Sequence, residues 1–360
     1  MGGTLKELLL NIIGGLIVAA ILWFRRRWLG AVVRAAWGGL RRLFSLPTVP
    51  PPDGPSGDLW RRPGETKGEP AYGPDGSHMV WVPPGTFSMG SCSSGHADEA
   101  PEHDVEITQG FWIMQCLVTN AQYAQYLNRL TPSEVRSNSV VLASREDAAT
   151  KGELEKRDGK WHPCRGREDH PVVGADWEAA SDYAAHYRLS LPTEAQWEYA
   201  ARGDTRGRWP WGDHWDRRRC CTSEDPGPPW DFENRCPADP QARPAADRVN
   251  RTTPVRNFEA NGRAAGVLHG RSWCGALDMA GNLMEWCADW YGPYTRGATT
   301  AQDPTGPATG ELRVVRGGNC YHDREHCRVT DRRHRTQPGN RDNSIGFRCV
   351  YTPRNADQPG

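Results

Sequence analysis

The sequence has little phenylalanine, no net charge and no Cys-x-x-Cys pair, and each shortage removes a class of protein. With 7 Phe against 16 Trp in 360 residues, any core must be built on indoles, whose N–H groups need partners once buried. The formal charge is zero overall but unevenly placed: residues 1–50 carry +6 and the remainder −6. The large C-terminal part therefore lacks the basic excess of a nucleic-acid binder, and no nucleic-acid partner is expected. Eleven cysteines are an odd number, so at least one stays unpaired within the chain. None stands in a Cys-x-x-Cys pair, and no Cys/His spacing fits a zinc site.

Long apolar runs are also scarce. The exception is Leu8 to Phe24, which has no charge and only Asn11 as a strongly polar residue. As a helix it would be about 26 Å long, near the lower limit for a membrane span. A secretory signal is the alternative, but Arg25-Arg26-Arg27 follow the run instead of preceding it. That placement predicts a single-pass protein with the C-terminal part facing the cytoplasm, where cysteines stay mostly reduced. Residues 25–46 read as a second helix, with Arg27, Arg34 and Arg41 on one face. Leu29, Val33, Ala36, Trp37, Leu40 and Phe44 lie on the other. Such a helix either lies among anionic headgroups or packs against the soluble part. Residues 47–77, rich in Pro and Gly, read as a linker, and residues 354–360 as a tail.

From Met79 the pattern becomes short strands, Gly/Pro turns and a few helices, an α+β domain over residues 78–353. Met79 to Gly90 alternates, turns at Pro84-Gly85 and resumes. Helices are predicted behind Thr119, from Asp176 to Tyr187, and behind Thr193, since Thr and Asp are good N-caps and apolar residues follow at helical spacing. Residues 217–250 and 263–273 read as surface insertions.

The stretches VWVPPGTFSMGS, GFWIMQCLVTNAQY, HPVVGADWEAASDY, LPTEAQWEYAARG, WPWGD, TTPV, ALDMAGNLMEWCADWY, RVVRGGNC and IGFRC occur in this order. Together they resemble the formylglycine-generating enzyme (sulfatase-modifying factor) family, a branch of the C-type-lectin-like fold, over about Met79 to Thr352. The resemblance implies that fold but not one function, because the fold hosts enzymes and binders alike.

Three candidate sites follow from the resemblance. It implies a structural Ca²⁺ held by the side chains of Asp278 and Glu285 and the carbonyls of Gly281 and Leu283, a hard-cation donor set; the alternative is a turn held by its own hydrogen bonds. The family's second calcium site would start in Arg219 to Thr222, where cysteine is a poor ligand. The family's copper-dependent enzymes use two cysteines five residues apart, matching His322 and Cys327. A histidine cannot complete a two-thiolate Cu(I) site, so no copper and no enzymatic activity are expected; Cys327 would be the catalytic thiol if there were one.

The third candidate is residues 319–344, crowded with Cys, Tyr, His, Asp, Arg, Thr, Asn and Ser. These residue types are what adenine substitutions in an Asn codon produce. The stretch resembles the variable region of diversity-generating retroelement target proteins, which display such side chains on the same fold. That resemblance implies a binder of a protein or other macromolecule, which the N-terminal apolar run would anchor at a membrane. Its contacts would come from Cys320, Tyr321, His322, Asp323, His326, Asp331, Arg333, His334, Asp342 and Asn343. An ordinary polar loop, serving a fixed partner, is the alternative.

Overall fold

The computed structural model describes residues 61–131, 153–224, 252–259, 269–295 and 300–353. The predicted span, the juxtamembrane helix, the linker up to residue 60 and the tail lie outside the described residues. Among the described residues no helix is long and apolar enough to cross a membrane.

Three helices form where capping residues stand. Helix α1 (Asn120–Arg129) and helix α3 (Glu194–Arg202) each open with a complete capping box. In these, Thr119 with Gln122 and Thr193 with Gln196 exchange side-chain and backbone hydrogen bonds, satisfying two donors that a helix start otherwise leaves open. Helix α2 (Trp177–His186) is capped by the Asp176 carboxylate, which accepts from the Ala179 amide at 2.9 Å.

The strands form two four-stranded sheets and two smaller ones. The first sheet runs β1 (Pro70–Tyr72), β2 (His78–Val82), β5 (Phe111–Met114) and β13 (Val350–Tyr351). The second runs β11 (Arg335–Thr336), β10 (Arg313–Arg316), β8 (Met284–Trp290) and β12 (Ile345–Gly346). A third joins β3 (Gly85–Met89), β4 (His103–Ile107) and β9 (Ala301–Gln302), while β6 (Leu154–Arg157) pairs with β7 (Lys160–Pro163). The alternation read across Met79 to Gly90 is thus two strands in different sheets, with the chain crossing between them at Pro83-Pro84.

Two expectations change here. The end of the predicted linker belongs to the domain: Pro70–Tyr72 pairs antiparallel with β2, and the Arg62 carbonyl accepts from Trp112 Nε1 at 2.8 Å. Gly64 serves packing, since a Cβ there would meet the Trp81 ring at 2.3 Å. The first insertion is not all surface either. Cys220, Cys221 and Thr222 are buried, and the Asn282 amide donates to the Cys221 carbonyl at 2.9 Å.

The core is aromatic, as the composition requires. Trp112, Trp197 and Trp286 are fully buried. Trp286 donates to the Ala175 carbonyl at 2.9 Å, Trp177 to Cys287 at 2.8 Å, and Trp197 to Glu285 at 3.0 Å. Tyr123, Tyr126, Tyr183 and Phe347 pack ring to ring at 5.1–6.2 Å, joining α1 and α2 to the C-terminal strands.

Candidate functional site

Between β10 and β12 the chain makes a long excursion over residues 317–344, which rejoins the second sheet briefly as β11 beside β10 and ends on the far side of β8. Gly317 and Gly318 start this excursion at φ +95° and +68°, which favours glycine. A Cβ on Gly318 would stand 2.6 Å from Cys327 Sγ and 2.7 Å from the His326 carbonyl oxygen.

Buried arginines tie the excursion down. Arg316 reaches Glu194 at 3.1 Å and also Glu198, with its guanidinium 5.3 Å from the Trp197 ring. Arg328 grips Glu99 through two 2.7 Å hydrogen bonds, joined by Thr330 at 2.6 Å. Arg332 pairs with Glu194 at 2.8 and 2.9 Å and lies 3.8 Å from the Tyr294 ring. Burial alone would raise the Glu194 carboxyl, but Arg332 and Arg316 outweigh it and hold the group below the usual range. The helix predicted behind Thr193 carries Glu194 and Glu198, but sequence reasoning did not single them out as the centre of this network. The available signal was two carboxylates four apart on a helix that otherwise reads as core.

On this frame the predicted contact residues separate. Tyr321 is 38% exposed, one of two exposed large apolar side chains among the described residues. Asp323 and Asp342 are exposed, and His322, His326, Arg333, His334 and Asn343 are half-buried. Cys320 and Asp331 lie inside, Cys320 against Cys221 and Phe258, Asp331 on the Arg333 amide at 2.9 Å. The three histidines stack, with ring centroids 4.4 Å apart for His322–His334, 4.9 Å for His322–His326 and 5.4 Å for His326–His334. Burial, reinforced by His334 and His326, brings the His322 pKa down to about 4, and burial lowers that of His334. Asp342 and Asn343 precede β12, at the sheet edge opposite β11, so they do not join this cluster.

Cys327 is buried, and burial pushes its thiol well up. At the position matching the family's other cysteine stands His322. The residues present do not make a two-thiolate copper site, and no step through copper is derived.

The turn before β8 carries Asp278, Gly281 and Asn282 at φ +56°, +77° and +61°. Asp278 is buried with neither carboxylate oxygen hydrogen-bonded, and burial raises its pKa to about 7. An orphaned buried carboxylate is costly unless protonated or paired with a cation, so Asp278 fits a calcium ligand. Glu285 fits less well, because Arg348 holds its two oxygens at 2.6 and 2.7 Å and Trp197 adds a third hydrogen bond.

A twisted set of short strands with capped helices, pinned by buried ion pairs and carrying a long polar excursion, defines an α+β scaffold of the formylglycine-generating enzyme type. Residues 66–353 match the sulfatase-modifying factor enzyme 1-like domain, and the chain belongs to that family. The formylglycine-generating enzyme of Streptomyces coelicolor is 32% identical over 316 residues, covering 80% of this chain and 90% of that protein. The serine/threonine-protein kinase pkn1 of Chlamydia pneumoniae is 33% identical over 79% of this chain, which spans only 39% of that protein. Treponema denticola variable protein 1 has a similar fold, with a TM-score of 0.50 and 19% identity over 77% of this chain and 95% of its own. These relatives correct one expectation. That the chain is not an enzyme does not stand, since relatives about one-third identical along nearly their whole length are named for an enzymatic activity.

Proposed function

We propose that residues 319–344 form a ligand-binding surface for a protein or other macromolecule, displayed on a C-type-lectin-like scaffold that the N-terminal apolar run holds at a membrane. One observation carries this reading: buried arginines fix the backbone of the stretch while Tyr321 and Asp323 are exposed and His322, His326, Arg333 and His334 lie half-buried among them. Adaptable hydrogen-bonding groups and aromatics on a rigid frame are the chemistry of a recognition surface. Calcium would stiffen the neighbouring turn through Asp278 and the Gly281 and Leu283 carbonyls, with Glu285 remaining mainly with Arg348.

Diversification of the surface is tested in the DNA beside the gene. A near-identical repeat with adenines at the codons for residues 319–323, 326, 331, 333, 334 and 342–344, next to a reverse transcriptase gene, is the expected finding. Without the repeat, the surface serves a fixed partner. Binding itself is tested by capture of partners from the source cells with the full chain. Exchanging Tyr321 for alanine and Asp323 for asparagine together should abolish capture with little change in thermal stability; unchanged capture would refute the surface.

A second reading, favoured by the relatives' names, is a formylglycine-generating reaction centred on Cys327. Anaerobic Cu(I) titration separates it. Stoichiometric binding abolished by Cys327→Ser supports it, whereas no binding, or binding indifferent to that change, removes it.

A further inference from the structure

We infer that His322, His326 and His334 form a binding site for a divalent transition-metal ion of the zinc class, through three imidazole nitrogens. The inference does not depend on the reading above, since a fixed or a diversified stretch with these three residues would bind the ion equally.

The ring positions carry the argument. With a metal–nitrogen distance of about 2.0–2.1 Å, each imidazole centre lies about 3.2 Å from a bound zinc, and a tetrahedral arrangement then sets the centres about 5 Å apart. The centroids here are 4.4, 4.9 and 5.4 Å apart. Two of the nitrogens have no other use: His322 Nδ1 and His334 Nε2 are buried without a hydrogen-bond partner. Stacking alone does not satisfy such atoms. His326 completes the set in the way metal-bound histidines do, its Nδ1 held by the Asp323 carboxylate at 2.8 Å, which leaves Nε2 for a ligand.

The rings lie at 19–43° to one another, so their lone pairs do not yet meet. Among the described residues no three such donors already surround one point. The site therefore requires each ring to rotate about its own side-chain bonds while its centre stays nearly in place. Imidazole selects zinc, nickel and copper over calcium and magnesium. Three nitrogens leave the fourth tetrahedral position open, and partial exposure of all three rings gives the ion a path.

The test uses the full chain without a histidine tag, titrated with Zn²⁺ against a chromophoric chelator in excess Ca²⁺. One Zn²⁺ per chain should bind, and His322→Gln, His326→Gln and His334→Gln should each weaken it at least about tenfold, Asp323→Asn somewhat less. Substitution with Co²⁺ should give visible d–d absorption without a thiolate charge-transfer band. Binding that survives the triple His→Gln change, that follows the exposed Cys92 in a Cys92→Ser variant, or that shows the thiolate band would overturn the site. Should the triple variant fail to fold, the Co²⁺ spectrum of the unaltered chain and the effect of Asp323→Asn decide the matter.

Discussion

At the scale of single residues, the molecule depends on buried charges that are individually costly and mutually compensated. Removing one partner of such a pair leaves the other charge stranded, at about 3–5 kcal/mol. Arg316→Met takes one partner from each of Glu198, which keeps Arg202 and the Gly90 amide, and Glu194, which keeps Arg332; it should lower the free energy of unfolding by no more than the low end of that range, about 3 kcal/mol, in urea titration. Replacing Glu99 and Arg328 together by apolar residues should cost less than either single change. Asp278 has the opposite character. Its folded pKa, about 7, lies above its unfolded value, so the folded state holds the proton more tightly. Without metal, stability therefore falls as pH rises from about 4 to about 7, the linkage sign for a raised carboxyl. Asp289, also raised to about 7 by burial and then by Glu194, adds in the same direction. Calcium should raise the melting temperature mainly at and above pH 7, and Asp278→Asn should abolish that gain. An equal gain in the Asn variant would remove Asp278 from the site.

At the scale of elements, the helices were legible in the sequence because their determinants are local. Thr119-x-x-Gln122, Thr193-x-x-Gln196 and Asp176 each sit within one turn of the amides they cap. Thr193→Ala should cost about 1 kcal/mol, read in the same titration; no loss would mean that packing alone holds α3. The strands were less legible. A two-residue strand such as Ile345–Gly346 has no periodicity to read, and Pro70–Tyr72 sits in a composition that signals a linker. Its place in the sheet comes from β2 and from the space that Gly64 leaves for Trp81.

At the scale of the whole molecule, the family was legible in the sequence, and so was the crowding of polar side chains in residues 319–344. The spatial grouping within that stretch was not. His322, His326 and His334 converge because the chain turns back after Gly317-Gly318 and is pinned by Arg328 and Arg332. Asp342 and Asn343 are carried instead to the other edge of the sheet. The proposed cytoplasmic orientation of the large domain rests on Arg25-Arg26-Arg27 following the apolar run. A reporter fused after Thr352 should be active only in a form that works in the cytoplasm; alkaline phosphatase activity there would reverse the topology.

What the sequence alone determined is the set of features written in short spans: helix caps, indole-rich strands, the order of family stretches and the crowding of polar side chains near the C-terminus. Only the tertiary structure decided which of those side chains are buried, which share a face, and which carboxylates answer which arginines. The reason is distance along the chain. Arg328 and Glu99 are 229 positions apart, and Arg332 and Glu194 138. A contact of that separation exists only once both partners have been brought together by packing that neither of them specifies.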